Sequence, residues 1–400
     1  MTAPRQLRIA MIGTRGVPAA YGGFETAVEE IGKRLVARGH KVVVYCRTGA
    51  DKPSSYLGMR LVHLPALRIK AAETLSHTAL SIGHSITRQK PDVALVFNAA
   101  NAPFLPMLRA RGVPVAVHVD GLEWKRGKWG PVGRRYYRAA EKLAVRYSDA
   151  LIADAQGIAD YYDERFAVPT ELLTYGAKIL TDAGADRITS LGLQPGKYHL
   201  VVARFEPENH VEMIVDGYHR SDCEFPLVVV GSAPYAAAYT RAIEAVAASD
   251  PRIQMLGGVW DQDLLDQLYS NALTYVHGHS VGGTNPSLLR AMGGGTSVIA
   301  YDVDFNREVV GGDGGYFGSP EALRRLLDDV ECSAPRYLRI GLSMQRRAQT
   351  HYDWDEVAAG YEKLSQRLAA GYSIHKASHR TRDRASHQTP VRSTLTRSTN

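Results

Sequence analysis

Short β-branched runs that are apolar at nearly every position alternate with amphipathic helical patterns along almost the whole chain, and this alternation limits the fold more than any other feature. The runs at 7–12, 41–45, 60–64, 92–97, 114–119 and 150–153 read as strands, and a second set follows at 198–202, 227–230, 253–256, 273–276 and 297–300. A strand without a polar face has to be covered on both sides, which points to parallel sheets packed between helices. The segment 25–38 shows such a helix: Phe24, Val28, Ile31 and Leu35 recur at helical spacing, leaving Glu29, Glu30, Lys33 and Arg34 for water. A last helix at 354–368 carries Val357, Tyr361, Leu364 and Leu368 on one face.

The chain of 400 residues is too long for one core and suits two. The alternation breaks between 176 and 197, a stretch rich in glycine and polar residues, and the boundary is placed there. The expected organisation is a first α/β domain over 1–180, a second over 195–350, a helix at 351–373 crossing back to the first, and a basic tail at 376–400. Two doubly wound domains facing each other make a cleft. Ligands in such sheets bind beyond the carboxyl ends of the strands, where the strand order reverses.

Composition narrows the class. Hydrophobic residues make up 45% and charged residues 22%, ordinary for a globular enzyme. The amino terminus runs straight into a strand, without a signal-peptide pattern, and no run of about 18 apolar residues occurs. A cytoplasmic protein is expected, resting on the inner membrane face at most. Cys46, Cys223 and Cys332 are odd in number, far apart and without CxxC spacing, so neither a zinc site nor a disulfide framework is suggested. The net charge of +7 invites a nucleic-acid reading, but the tail holds Lys376, Arg380, Arg382, Arg384, Arg392 and Arg397 against Asp383 alone, or +5 of the total. Such a tail suits anionic lipid head groups or plain solvent; nucleic acid is not expected.

Four segments carry chemistry. The loop after the first strand ends in Gly22-Gly23, directly before a helix, where free amides and the helix terminus favour negative charge. It is neither GxGxxG nor a P-loop. The loop after the fifth strand packs His118, Asp120, Glu123, Trp124, Lys125 and Arg126 into nine residues, a density suited to sugar hydroxyls with the indole over a ring. In the second half Arg204 stands just past a strand, where its fork suits a diphosphate or an ion pair with Glu206 or Glu208. The stretch 277–292 ends a strand at His277, then runs through His279, Gly282, Gly283 and Thr284 to Asn285-Pro286, an N-cap and first-turn signature. Amides at that helix start make a site for an anionic leaving group with no metal.

Together these residues resemble the GT-B-fold retaining glycosyltransferases of family 4, in the bacterial branch described as rhamnosyltransferase-like. The shared motifs are IGTRGVPAAYGGFET, DGLEWKR, ARFEPEN and HSVGGTNPSLLRAM, with FNREV and YDWDEV further on, and they span about residues 7 to 370. The resemblance implies an α/β GT-B fold of two Rossmann-like domains and transfer of a hexose from a nucleotide-diphosphate sugar in polysaccharide biosynthesis. The donor is a co-substrate, no cofactor is needed, and the acceptor is a glycan or a lipid-linked glycan. It implies donor contacts at Gly22, Gly23, Arg204, Asn209, His279, Gly282, Gly283, Thr284, Asn285 and Arg290. Tyr21, Trp124, Lys125 and Arg126 fall on the acceptor side, with His118, Asp120 and Glu123 at the reaction centre. One position departs from the family: where a glutamate is thought to hold the donor ribose, this chain has Arg290, which donates hydrogen bonds and accepts none. The alternative it raises is a catalytically weakened relative that binds a nucleotide sugar as a scaffold. A GT-B epimerase is a third reading, against which the DGLEWKR loop argues.

Overall fold

The structure, a computed structural model, describes residues 5–19, 22–49, 52–67, 69, 72–119, 121–127, 129–232 and 237–376. In chain order the first domain holds β1 (Arg8–Ile12), α1 (Gly23–Ala37), β2 (Lys41–Arg47), β3 (Ser55–Tyr56), β4 (Met59–Leu64), α2 (Glu73–His84) and β5 (Val93–Phe97). It continues with α3 (Leu105–Ala110), β6 (Val115–His118), α4 (Pro131–Tyr147), β7 (Ala150–Ala153), α5 (Gln156–Phe166) and β8 (Glu171–Leu172). A short α6 (Asp186–Ser190) leads into the second domain, with β9 (His199–Val202), α7 (Val211–His219), β10 (Leu227–Val230), α8 (Ala237–Ala248), β11 (Ile253–Gly257), α9 (Gln262–Asn271) and β12 (Thr274–His277). There follow α10 (Pro286–Gly293), β13 (Ser297–Tyr301), α11 (Asp304–Val310), β14 (Gly315–Phe317), α12 (Pro320–Cys332), α13 (Ala334–His351) and α14 (Trp354–Ala369).

The first sheet runs β3-β4-β2-β1-β5-β6-β7-β8, and the second β11-β10-β9-β12-β13-β14. All pairings are parallel except the β3–β4 edge. Every residue of β5, β6, β7, β10 and β12 is buried, as strands covered on both faces must be. Order reverses between β1 and β5 and again between β9 and β12, and the loops leaving those strands face each other across the seam.

Most strand boundaries lie within a residue of the hydrophobic runs. The edge strands β3, β8 and β14, two or three residues long, carry no run that would announce them. The polar face of α1 differs from expectation. Glu29 accepts from the Ala19 amide at 2.7 Å, Glu30 binds Lys33 and Arg34, and all three of Glu29, Glu30 and Lys33 line the cleft instead of open solvent.

The chain crosses between the domains twice. The linker after β8 carries Tyr175 and Gly176, and the break between α13 and α14 returns the chain to lie on α1. The crossings are bonded together, the Ala177 amide donating to the Tyr352 carbonyl at 2.6 Å. Asp353 caps α14 through the amides of Asp355 and Glu356. One apolar cluster therefore runs from β1 and α1 through Tyr175, Ala177 and Trp354 to Leu288 and Met292.

Candidate active site

The seam encloses a cleft of about 760 Å³. The amino termini of α1 and α10 meet there: a Cβ placed on Gly23 would stand 3.1 Å from Pro286 Cγ. Gly22, at φ 105°, takes the backbone conformation that brings the loop into α1, and a side chain on it would overlap the Glu25 carboxylate. Glu25 itself accepts from the Arg15 amide at 3.0 Å. Across the seam, Asn285 Oδ1 accepts from the Ser287 amide at 2.9 Å, and Pro286 occupies the first turn of α10. Two helix starts thus direct their positive dipole ends at one volume.

Arg204 and Asn209 bring the β9 loop to the same place. Arg204 lines the cleft with its guanidinium 3.4 Å from the buried Glu206 carboxylate. Asn209 donates through Nδ2 to the Arg204 carbonyl at 2.8 Å, so its Oδ1 is the acceptor for His279 Nδ1 at 2.6 Å. That bond puts the imidazole proton on Nδ1 and leaves Nε2 as an acceptor beside Gly282. Burial first, then the nearby positive charges of Arg126 and Arg204, hold His279 well below the ordinary histidine range. Burial alone pushes His277 down to about 3. These neutral rings add no competing positive or negative charge at the seam.

His118 ends β6 beneath the cleft, not in it. It packs against Phe24 at 5.1 Å, Phe97 at 5.8 Å and Tyr175 at 6.0 Å, and burial pushes its pKa down to about 3. In the loop that follows, Glu123 pairs with Arg126 and accepts from Trp129 Nε1 at 3.2 Å. Glu123 and Arg126 are therefore spent holding the loop closed, where open hydrogen-bonding groups were expected. Trp124 is half-buried under the Arg138 guanidinium at 4.4 Å, and Lys125 is exposed. Asp120 and Tyr21 lie outside the described residues.

Gly282, Gly283 and Thr284 pack closely against the first domain. A Cβ on Gly121 would stand 2.5 Å from Gly282 Cα, one on Gly283 would overlap the Asp154 carboxylate, and Thr284 donates its hydroxyl to the Asp154 carbonyl. These three residues, expected to offer amides to an anion, press on the first domain, while Asn285, Pro286 and Ser287 line the cleft.

Arg290 lines the wall further along and is held on three sides. Its Nε and Nη2 donate to Asp266 Oδ1 at 2.8 and 2.5 Å, Nη1 to Gln262 Oε1 at 2.9 Å, and Nη2 to the Gln262 carbonyl at 2.9 Å. Asp266 gives its other oxygen to Lys178 Nζ at 2.5 Å. Lys178, Gln262, Asp266 and the exposed Trp260 escaped sequence reasoning. Gly257-Gly258 after a strand was the one signal that could have pointed to Trp260 and Gln262.

Among the described residues, His199, Cys223 and Glu331 bring ligand atoms within 4.8 Å of one another, away from the cleft. His199 already binds Thr274 and Glu331, and Glu331 takes the amides of Glu224 and Phe225, so these atoms are committed to the packing of α12.

Residues 6–178 match a family described as a domain of unknown function (DUF1972), and residues 189–341 match glycosyl transferases group 1. No curated protein matches the chain. Among solved structures, sucrose-phosphate synthase from Thermosynechococcus elongatus superposes with a TM-score of 0.79 at 22% identity, over 92% of this chain and 100% of that one. Anabaena HepE, solved with UDP-glucose, gives 0.71 at 16% identity over 90% and 100% of the two chains. A trehalose-6-phosphate structure from Escherichia coli, bound with UDP-2-fluoro glucose, gives 0.67 at 11% over 90% and 99%. The two facing Rossmann-like domains are a GT-B fold, and through its group 1 domain the chain is a glycosyltransferase.

Proposed function

We propose that this chain is a retaining, metal-independent hexosyltransferase that moves a sugar from a nucleotide-diphosphate donor to a glycan or lipid-linked acceptor in polysaccharide assembly. The observation that carries the reading is the meeting of two helix amino termini, α1 and α10, with Arg204 at one cleft. That arrangement stabilises negative charge as it develops on a departing diphosphate. UDP-linked sugars are the first donors to try, since two of the similar structures hold them.

In this reading the anomeric carbon–oxygen bond to the β-phosphate breaks while the acceptor oxygen bonds to the same carbon on the same face. The acceptor proton passes to the departing phosphate oxygen. The two glutamates lining the cleft, Glu29 and Glu30, are engaged by Ala19, Lys33 and Arg34, which suits a path without a carboxylate nucleophile. His279, neutral with Nε2 as an acceptor, is placed to take a hydroxyl of the sugar. Gly22, Gly23, Asn209, Gly282, Gly283, Thr284 and Asn285 bound the donor phosphates and sugar, and Tyr21, Asp120, Trp124 and Lys125 the acceptor side. Glu123, Arg126 and His118 support that loop from within.

Incubation with a panel of nucleotide sugars and glycan acceptors, in the presence of a chelator, should release nucleoside diphosphate and give a product with the donor's anomeric configuration by NMR. No release from any pair, or a product of inverted configuration, would sink the proposal. A second reading, a nucleotide-sugar-binding scaffold, is favoured only by Arg290. Donor binding by calorimetry without turnover would support it.

A further inference from the structure

We infer that the first domain docks on an anionic lipid surface through the exposed face of α4. The helix runs 17 residues and carries Arg134, Arg135, Arg138, Lys142 and Arg146, all exposed. At the α-helical 100° per residue these five cations fall within roughly 120° of the circumference, one continuous stripe. The helix has one acid, Glu141, which is buried beside the Arg134–Arg138 edge of the stripe and accepts from Tyr161 Oη at 3.1 Å. No exposed acid lies on α4, so five exposed cations stand against one buried carboxylate. Val132, 81% exposed, extends the stripe with an apolar residue at the start of the helix.

Two further observations choose the partner. The carboxyl-terminal segment returns to the foot of this helix, where the Ile374 amide donates to the Asp149 carbonyl at 2.9 Å and His375 Nε2 meets the Ser148 carbonyl at 3.0 Å. The sequence that follows Lys376 is itself basic, with Arg380, Arg382, Arg384, Arg392 and Arg397 against Asp383. At its other end the stripe borders the loop proposed to meet the acceptor, since the Arg138 guanidinium covers Trp124. A long strip of exposed cations, with one apolar residue and a basic sequence following Lys376, suits a broad surface of anionic head groups. Docking there would hold the acceptor loop at the bilayer.

The test is sedimentation of the full chain with phosphatidylglycerol-containing vesicles and with phosphatidylcholine vesicles. Binding should be confined to the anionic vesicles and should weaken as salt rises. In full-chain Arg135→Gln/Lys142→Gln/Arg146→Gln, affinity should fall about fivefold per cation and on the order of 100-fold in all. Thermal unfolding and turnover of a short water-soluble acceptor should stay at parental values, because these side chains touch neither cleft nor loop. Replacing Arg380, Arg382 and Arg384 by Gln should weaken binding further. The inference is overturned if the parent does not sediment, if the helix variant binds like the parent, or if duplex DNA is bound more tightly than the vesicles at equal salt.

Discussion

Arg290 stands where a ribose-binding carboxylate was expected, and its surroundings explain how the chain accommodates it. Four of its five N–H donors are taken by Asp266 and Gln262, so it braces α10 against α9 and is not a loose cation in the cleft. Arg290→Glu alone would set a second carboxylate beside Asp266 and discard charge-assisted bonds worth about 1.5–3 kcal/mol. We expect it to raise the donor KM at least tenfold, and a double-mutant cycle of Arg290→Ala with Asp266→Ala to show coupling of about 0.5–3 kcal/mol. Additive effects in denaturant melts would remove the brace. A second prediction concerns protons. His118 and His277 are pushed down to about 3 and His77 to about 4, all chiefly by burial, so they stay neutral in the fold but charge near pH 6.5 once unfolded. The unfolded chain then binds more protons below that pH. Stability is fully present above pH 6.5 and is lost as pH falls toward 3, by about 1.4 kcal/mol per pH unit for each ring. Urea unfolding at pH 7.5 and pH 5 should show the loss, and His118→Phe should reduce it by about one ring's share. An unchanged slope in that variant would mean His118 is protonated in the fold.

At the scale of elements, the loop between β12 and α10 does two jobs that conflict in any bulkier sequence. It starts a helix aimed at the cleft and packs backbone against backbone on the first domain. Gly283→Ala should therefore wedge the domains apart, since its Cβ would overlap Asp154. A shift of about 1 Å at a reaction centre can cost on the order of 100-fold, and we expect that loss in kcat with little change in thermal stability. Asn285→Ala removes the cap and should cost about 1 kcal/mol of stability. Equal kcat in Gly283→Ala and parent would show that the contact does not set the catalytic geometry. These elements also show what the chain discloses on its face. Asn285-Pro286, the paired glycines and the apolar runs of β1, β5, β9 and β12 obey local rules, so helix start, strands and the facing loops were legible. The destination of the Gly282–Thr284 amides was not, because it depends on Asp154, more than a hundred residues away. The internal pairing of Glu123 with Arg126 was hidden for a related reason. A dense cluster of polar residues has the same composition whether it faces a ligand or satisfies itself. Lys178 and Asp266 were missed because each becomes informative only when the hinge and α9 are brought together.

Across the whole molecule, the two domains are joined by a linker and by a helix that returns, and Trp354 sits where both pass. It is 6% exposed, meets Tyr175 edge-on at 6.5 Å and lies so close to Gly176 that a Cβ there would overlap the indole. It also lines the cleft, so the residue that closes the core across the hinge borders the donor volume. The polar ties along the same helix are of another kind. Arg34 reaches Asp355 at 2.7 Å, but Asp355 is 72% exposed, and such a pair contributes at most about 1 kcal/mol. The arrangement assigns the coupling of the domains to burial and not to charge. Trp354→Ala should cost about 3–5 kcal/mol, whereas Asp355→Ala should cost under about 1 kcal/mol. Calorimetry should show one unfolding transition in the parent and in Asp355→Ala but two in Trp354→Ala, as the group 1 domain and its partner lose their shared core. Small-angle scattering should show a larger radius of gyration for Trp354→Ala alone. If Asp355→Ala separates the domains as strongly, the ion pairs of α14 carry the coupling, and the continuous apolar cluster through Tyr175 and Trp354 does not.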